Sequence, residues 1–328
     1  MSGLYFAIYF LCIGLSAAGA WLVGRYGHRL YLLDKPNDRS SHRKATPKGG
    51  GIGILAAFMA SALLLRISEF FWIPTAMLSI ISLVGDRYHL SPLFRLLFQF
   101  PASMIFIYGI WNNHPLSADG YLMIIPLSFY IVGTTNYYNF MDGINGIAGI
   151  TGVVGFGLLS FYSFSLNAYP SILTLNICLL LSCLGFLPFN FPRAKVFMGD
   201  VGSILLGFVF AAMVVLLSKS LLDFVCLSAF LFPFYADELT TELVRLKYGE
   251  KLWRPHRRHL YQLLANEYAI PHWKVSLGYG LGQLLVGVSV LFFMNSGLLP
   301  VLSIIFLYFF IFIVLTSAIR MRLTSKLA

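Results

Sequence analysis

Two polar segments interrupt otherwise apolar sequence and place carboxylates where they are costly. Residues 136–146 contain Asp142, and residues 196–203 contain Asp200. An ionised Asp at a membrane boundary usually has a cation, a partner or a wet cavity, because a hydrocarbon environment penalises its charge. The two acids therefore indicate a site for a metal ion and a pyrophosphate.

Each acid has a functional interpretation and a simpler structural one. Four polar residues recur at every third position, namely Asn136, Asn139, Asp142 and Asn145. They therefore share one drifting helix face, whose oxygens suit a hard cation or a sugar. The alternative is a polar, glycine-containing turn between two helices. Asp200 can simply cap the next helix, although a cap does not explain the polar residues just before it, which include Asn190, Arg193 and Lys195.

Three other segments carry candidate residues. The loop at residues 34–53 ends in a glycine run whose N–H groups can approach a phosphate, or it is a basic loop on the membrane surface. Asp86 lies at a helix end beside Arg87, so a solvated ion pair or a helix cap competes with a functional role. The last polar loop, residues 253–262, binds either phosphates or lipid headgroups, and Asp237 is the deepest acid on the helix before it.

Membrane helices must position these residues. Of the 328 residues, 58% are hydrophobic and only 11% are charged, which excludes a soluble domain. Apolar runs that can span about 30 Å of hydrocarbon predict an all-α, polytopic integral membrane helix bundle with about eleven transmembrane helices. The predicted helices cover residues 4–24, 50–66, 70–84, 93–110, 121–138, 143–164, 171–189, 203–219, 222–246, 274–294 and 299–319.

The distribution of charge orients this bundle. If sides alternate, all but two of the 23 Lys and Arg residues fall on one side, and only Arg66 and Lys219 fall on the other. The positive-inside rule makes the basic side cytoplasmic, with the N-terminus outside and the C-terminus cytoplasmic. The net charge of +10 requires no nucleic-acid partner but favours anionic lipid and phosphate ligands. Short outer loops predict a single domain, residues 1–328.

The motifs together resemble the polyprenyl-phosphate N-acetylhexosamine-1-phosphate transferase superfamily, of glycosyltransferase family 4 type. Residues 139–146 (Asn-Phe-Met-Asp-Gly-Ile-Asn-Gly) and 197–203 (Phe-Met-Gly-Asp-Val-Gly-Ser) are similar to its two most specific motifs, and residues 256–262 to its last-loop histidine motif. Residues 34–42 resemble the bacterial lipopolysaccharide branch. The family includes the phospho-N-acetylmuramoyl-pentapeptide transferase.

The resemblance implies a reaction, a cofactor and a location. N-acetylhexosamine-1-phosphate would pass from a UDP-N-acetylhexosamine to undecaprenyl phosphate with release of UMP, as the initiating step of O-antigen or other lipopolysaccharide synthesis. Mg²⁺, or Mn²⁺ in its place, would be the cofactor. The protein would be a multi-pass protein of the bacterial inner membrane with its active site on the cytoplasmic face, contacting membrane lipid and able to form a homodimer.

The resemblance also assigns roles to individual residues. The catalytic acids would be Asp86, Asp142 and Asp200, and the metal ligands would be Asp200, Asp142 and Asn139. The substrate-binding residues would be Ser41, His42, Lys48, Asn136, Asn145, Asn190, His256, Arg258 and His259.

One position departs from the family pattern. Gly85 stands where the family usually has the first of two adjacent acids, so this chain keeps only Asp86 of that pair. A catalytically silent, lipid-phosphate-binding relative is therefore one alternative. A polytopic transporter is another, although a transporter should carry charges or broken helices near mid-membrane and often has paired halves.

Overall fold

Helices make up nearly all of the regular structure in the computed structural model, which describes residues 2–36, 41, 44–88, 92–111, 122–166, 169–251 and 256–327. A single short pair of strands, β1 (Leu33–Asp34) and β2 (Thr46–Pro47), is antiparallel within this described part. The α-helices are α1 (Ser2–Tyr26), α2 (Ile52–Leu64), α3 (Glu69–Tyr88), α4 (Pro92–Trp111), α5 (Ile124–Phe140), α6 (Ile147–Ser165), α7 (Pro170–Asn190), α8 (Asp200–Leu217), α9 (Leu221–Ser228), α10 (Phe232–Lys247), α11 (Leu260–Gln262), α12 (His272–Phe293) and α13 (Leu298–Leu327). The predicted all-helical class is confirmed.

Eight helices of the described chain are long and apolar enough to cross a membrane, namely α1, α3, α4, α6, α7, α8, α12 and α13. The protein is therefore a multi-pass membrane protein. Every predicted segment coincides with helical structure, but α2 has only 13 residues and segment 222–246 is divided by a 3-10 turn at Ala229–Leu231. Pro233 in the first turn of α10 accounts for the division, because proline cannot continue a preceding helix. The count of eleven and the orientation of the termini stay predictions.

Helix α8 forms the centre of the bundle. It is apolar on every side, 83% of its span is buried, and it packs against α2, α3, α5, α6 and α9. A helix that is hydrophobic all round must be enclosed by others. Glycine allows the close approach of α5, since a Cβ on Gly207 would lie 2.9 Å from the Cα of Thr135. The first residue of this enclosed helix is Asp200.

Candidate active site

The sequence-predicted acids converge on one cavity, which we call the carboxylate pocket. It has a volume of about 280 Å³ and lies where α3 and α5 end and α8 begins. Of the predicted site residues, the pocket is lined by Ser41, Lys48, Asp86, Asn139, Asp142, Asn145, Asn190 and Asp200. Segments far apart in the sequence thus meet at one end of the bundle.

Asp86 lies in the last turn of α3 and is 7% exposed. Its Oδ1 atom is 3.1 Å from Nζ of Lys48, and its Oδ2 atom accepts a 2.9 Å hydrogen bond from the backbone N–H of Asp200. The alternative ion pair with the adjacent Arg87 is not found among the described contacts, and the Arg87 guanidinium lies over the rings of Tyr31 and Tyr88 instead. Asp86 therefore joins the 34–53 loop to the start of α8.

Asp200 is the first residue of α8 but does not cap it. The N-cap is Gly199, whose φ of +72° favours glycine, and the first N–H group of the helix donates to Asp86. The Asp200 carboxylate instead accepts a 3.0 Å hydrogen bond from Asn139 and forms an ion pair with Arg95 of α4. The cap interpretation is wrong, and the carboxylate points to partners on two other helices. The N-terminal end of a helix also favours its negative charge.

Asp142 lies in the turn between α5 and α6, and its carboxylate is the least engaged of the three. Among the described residues, no side chain or backbone N–H donates a hydrogen bond to it, and the group is half-buried. Burial, followed by the negative charges of Asp200 and Asp86, raises the pKa of the Asp142 carboxyl well above its usual range. A cation bound here would remove that penalty.

The glycine run before α2 has a structural role that neither interpretation of this loop anticipated. The N–H groups of Gly49 and Gly50 donate to the carbonyl of Phe197, and that of Gly51 donates to the carbonyl of Met198. A Cβ on Gly51 would lie 2.5 Å from the Cα of Gly202, so only glycine permits this contact. These amides therefore hold the 34–53 loop against the start of α8 and are not available to a phosphate.

The asparagines differ in their roles. Asn190 supports the wall, since its Oδ1 accepts a 2.6 Å hydrogen bond from the Gly146 N–H and its Nδ2 donates to the Val196 carbonyl. Asn145 lines the pocket, and its backbone N–H donates to Nδ1 of His272. Asn136 does not line the pocket, because its amide pairs with that of Gln99 at 2.7 Å.

A second acidic position holds the last polar loop. Asp237 on α10 is fully buried and accepts hydrogen bonds from the N–H groups of Leu260 (2.7 Å) and Tyr261 (3.2 Å) and from the Tyr279 hydroxyl (2.6 Å). We call this arrangement the last-loop clamp. Tyr261 in turn donates to the Phe140 carbonyl.

The clamp reaches the turn that carries Asp142. A Cβ on Gly143 would lie 2.1 Å from the Tyr261 hydroxyl oxygen, so the residue after Asp142 must be glycine. Gln262, next to Tyr261, lines the carboxylate pocket. The last loop therefore shapes the pocket through Tyr261 and Gln262.

The predicted residues of the last loop do not line the pocket. His259 is 3% exposed and stacks on Tyr261, with ring centroids 5.6 Å apart, while Arg258 forms a 2.6 Å ion pair with Glu250. Burial, assisted by nearby positive charge, lowers the pKa of His259 to about 3, and burial with His259 alongside lowers the pKa of His256 to about 4. Both imidazoles are neutral at pH 7. His42 lies outside the described residues.

Sequence reasoning missed several residues in and beside the pocket. Arg95 was counted only toward topology, yet it pairs with Asp200 beside the cavity. Asp34, Gln262 and His272 line the cavity itself. The position of Arg95 in the first turns of α4 was the available signal, since a cation there lies at the same bundle end as the acids.

Comparison with known proteins gives a consistent result. A family described as Glycosyl transferase family 4 matches residues 69–218. The chain is 30% identical to the decaprenyl-phosphate N-acetylglucosaminephosphotransferase of Mycobacterium leprae over 77% of this chain and 76% of that protein. It is 29% identical to the undecaprenyl-phosphate alpha-N-acetylglucosaminyl 1-phosphate transferase of Thermotoga maritima over 86% and 87% of the two chains.

A third relative covers a shorter stretch. The phospho-N-acetylmuramoyl-pentapeptide-transferase of Staphylococcus haemolyticus is 36% identical over 107 residues, or 33% of this chain and 32% of that protein. The similarity to the mycobacterial protein, by contrast, extends over most of both sequences. The helical bundle, the pocket at its end and these similarities lead to one conclusion: the chain belongs to glycosyl transferase family 4.

Proposed function

We propose that this protein transfers N-acetylhexosamine-1-phosphate from a UDP-sugar to undecaprenyl phosphate and releases UMP. The observation that carries the proposal is the convergence of Asp86, Asp142, Asp200 and Lys48 in one pocket at the ends of membrane helices, with Arg95 paired to Asp200 beside it. Relatives that carry out polyprenyl-phosphate sugar transfer support it.

The nucleophile of this reaction is the lipid phosphate itself, so the main contribution of the protein is positive charge. An oxygen of the lipid phosphate attacks the phosphorus that carries the sugar. The new P–O bond forms as the bond to the UMP oxygen breaks, and UMP leaves with that electron pair. Because two anions must approach, positive charge next to both phosphates lowers the barrier. Lys48 provides such charge at the wall of the pocket, and Arg95 provides it behind Asp200.

The residues present fit a magnesium ion. Their oxygens come from carboxylates and an amide, the ligands that Mg²⁺ prefers, and Asp142 has no hydrogen-bond donor among the described residues. No described group of three or more His, Cys, Asp or Glu side chains forms a complete metal site. Mg²⁺ is commonly held by one or two carboxylates plus substrate phosphates, so Asp142, Asp200 and Asn139 would hold it here. When bound, it would neutralise phosphate charge.

The location of the pocket supports a cytoplasmic active site. The pocket lies at the bundle end where the basic loops 34–53 and 256–262 meet. By the positive-inside rule this end faces the cytoplasm of a bacterial inner membrane, where UDP-sugars are made. Initiation of a cell-surface polysaccharide such as O-antigen and a homodimeric state remain proposals that rest on the resemblance.

Direct assay of the purified protein tests the proposal. Undecaprenyl phosphate and a panel of UDP-N-acetylhexosamines are supplied with Mg²⁺ or with EDTA, and UMP is measured. We expect Mg²⁺-dependent UMP release with at least one donor. Arg95→Gln should lower turnover about tenfold, whereas the matched variant Arg87→Gln, which removes an exposed charge outside the pocket, should change it little.

The silent-relative alternative makes the opposite prediction. It rests on Gly85 alone, and it predicts binding of the lipid phosphate without UMP release from any donor. A transporter is not favoured by the structure, because the described acids of the pocket lie at one end of the bundle rather than near its middle.

A further inference from the structure

A second cavity lies at the opposite end of the bundle from the carboxylate pocket. Its volume is about 520 Å³, within the range of about 300–1,000 Å³ that is typical of ligand sites. Helix α8 begins in the carboxylate pocket at Asp200 and ends beside this cavity at Leu217. We call it the far-end cavity. Helices α2 and α6 also run from the end that contains the carboxylate pocket toward the far-end cavity, whereas α3 and α7 run in the opposite direction.

The lining of the far-end cavity combines apolar walls with two cations. Phe71, Phe106 and Leu216 contribute to the walls, and Arg66 and Lys219 are exposed at its edge. These are the two Lys and Arg residues that the charge pattern leaves on this side of the membrane. No Asp or Glu is found among the lining residues of the described chain. Positive charge is thus concentrated at one site on an otherwise cation-poor face.

Neither cation is explained by contacts within the protein. Within the described ranges, Arg66 and Lys219 form no ion pair and their side chains make no hydrogen bond. The backbone N–H of Lys219 donates a hydrogen bond to the Asp223 carboxylate, but the ammonium group of Lys219 has no partner among the described residues. Two basic side chains without partners beside an apolar space can accept an anion from outside the protein.

The backbone at Arg66 strengthens this argument. Its φ is +52°, and the N–H of Ile67 donates to the carbonyl of Ala62, which is the hydrogen bond that closes a Schellman motif at the end of α2. Glycine or asparagine is usual at this left-handed position, because other side chains strain the backbone. The chain nevertheless has arginine there, which is consistent with a use for the side chain itself.

We infer that the far-end cavity binds an anionic phospholipid of the leaflet opposite the carboxylate pocket. The headgroup phosphate lies between Arg66 and Lys219, and an acyl chain lies against Phe71 and Phe106. Apolar walls favour a lipid over a free phosphate ion, because only a lipid fills both parts of the site. The location at helix ends puts the two cations at headgroup depth, where basic side chains reach lipid phosphates. This inference is independent of the proposed transferase reaction.

Native mass spectrometry of the full-length protein in detergent tests the inference. Delipidated protein is mixed with phosphatidylglycerol or phosphatidylethanolamine, and the bound lipid is counted. We expect phosphatidylglycerol to be retained preferentially, and the double variant Arg66→Gln/Lys219→Gln to lose about tenfold of that preference. The control Arg25→Gln/Arg29→Gln removes two exposed cations from the opposite end and should keep it.

A second variant tests the contribution of the cavity volume separately from that of the two cations. Ser171→Trp, at the start of α7, fills the cavity and leaves both cations in place, so it should also reduce phosphatidylglycerol retention. The inference is overturned if the wild type binds both lipids equally, if the control loses as much as the test variant, or if Ser171→Trp has no effect. Displacement of phosphatidylglycerol by millimolar inorganic phosphate would likewise show that only a free anion is recognised.

Discussion

The carboxylate pocket and the last-loop clamp both contain buried or half-buried aspartates at the same end of the bundle, but the aspartates have different partners. In the clamp, Asp237 accepts two backbone N–H groups and a tyrosine hydroxyl, and the group is fully buried. In the pocket, Asp86 and Asp200 face the side-chain cations Lys48 and Arg95, and Asp142 has no donor among the described residues.

This difference in partners distinguishes an aspartate that positions a loop from aspartates that are able to bind a ligand. A carboxylate whose oxygens are occupied by fixed backbone donors has little capacity left for a ligand, and its removal leaves those donors unsatisfied. A carboxylate paired with mobile lysine or arginine side chains can exchange them for a metal ion or a substrate. The comparison therefore predicts that pocket variants lose turnover, while clamp variants lose stability and substrate affinity.

The largest effect is expected for Asp200→Asn. Losing the charge that pairs with Arg95 and that, on the proposed function, holds Mg²⁺ should lower turnover about 1,000-fold, equivalent to about 4 kcal/mol of transition-state stabilisation. The thermal midpoint should change little, because Asp200 is at the edge of its helix. UMP release and thermal unfolding are measured beside Glu69→Gln, which removes an exposed carboxylate at the other end. Near-normal turnover of Asp200→Asn would contradict the assignment.

Asp237→Asn should show the converse pattern. The amide keeps one acceptor oxygen but turns an NH₂ group toward a backbone N–H, so we expect a loss of about 2 kcal/mol in the free energy of unfolding. The KM for UDP-sugar should rise more than kcat falls, because the loop that carries Gln262 loosens. An unchanged thermal midpoint together with abolished turnover would place Asp237 in the reacting chemistry and break the comparison.

The imidazole of the last loop gives a pH test of the clamp. The folded-state pKa of His259 is lowered to about 3, so the unfolded chain binds the proton more readily. Its contribution to stability is full above pH 6.5 and is lost as the pH falls from there toward 3. Between pH 7 and 5.5 the wild type should lose about 1 kcal/mol that His259→Gln does not lose.

Thermal unfolding of both proteins at the two pH values measures this difference. The matched variant His28→Gln changes an exposed histidine and should follow the wild type. Parallel pH dependence of wild type and His259→Gln would show that the imidazole is not held neutral in the clamp.

The smallest effect is expected at Gly85. Gly85→Asp restores the first acid of the pair, beside Asp86, and should raise turnover about threefold or shift its pH profile, since an added carboxylate can take a proton from the acceptor phosphate. A change in turnover with an unchanged thermal midpoint would support the distinction between the carboxylate pocket and the last-loop clamp. A silent wild type and an active Gly85→Asp variant would instead support the silent-relative alternative.

The sequence predicted the membrane helices and most of the pocket, but not its internal pairing. Apolar length located the helices, and polar, glycine-containing segments located Asp142 and Asp200. Sequence spacing could not reveal that Arg95 pairs with Asp200 or that Lys48 pairs with Asp86, because these contacts join residues far apart in the chain. For the same reason, the burial of His259 beneath Tyr261 and the use of the Gly49 N–H by Phe197 were not foreseen.

The enclosure of α8 limits how the pocket can adapt to a substrate. Helix α8 cannot slide or tilt without repacking the helices around it, so Asp200 serves as a fixed reference point. Lys48 is tied to the same end of α8, because the N–H groups of Gly49 to Gly51 hold its segment there, so any induced fit must come from the last polar loop, whose short helix α11 carries Gln262. Donor sugars of different size would therefore be accommodated by movement of the last polar loop, and exchanging this loop between relatives is a route to altered sugar selectivity that leaves Asp142 and Asp200 in place.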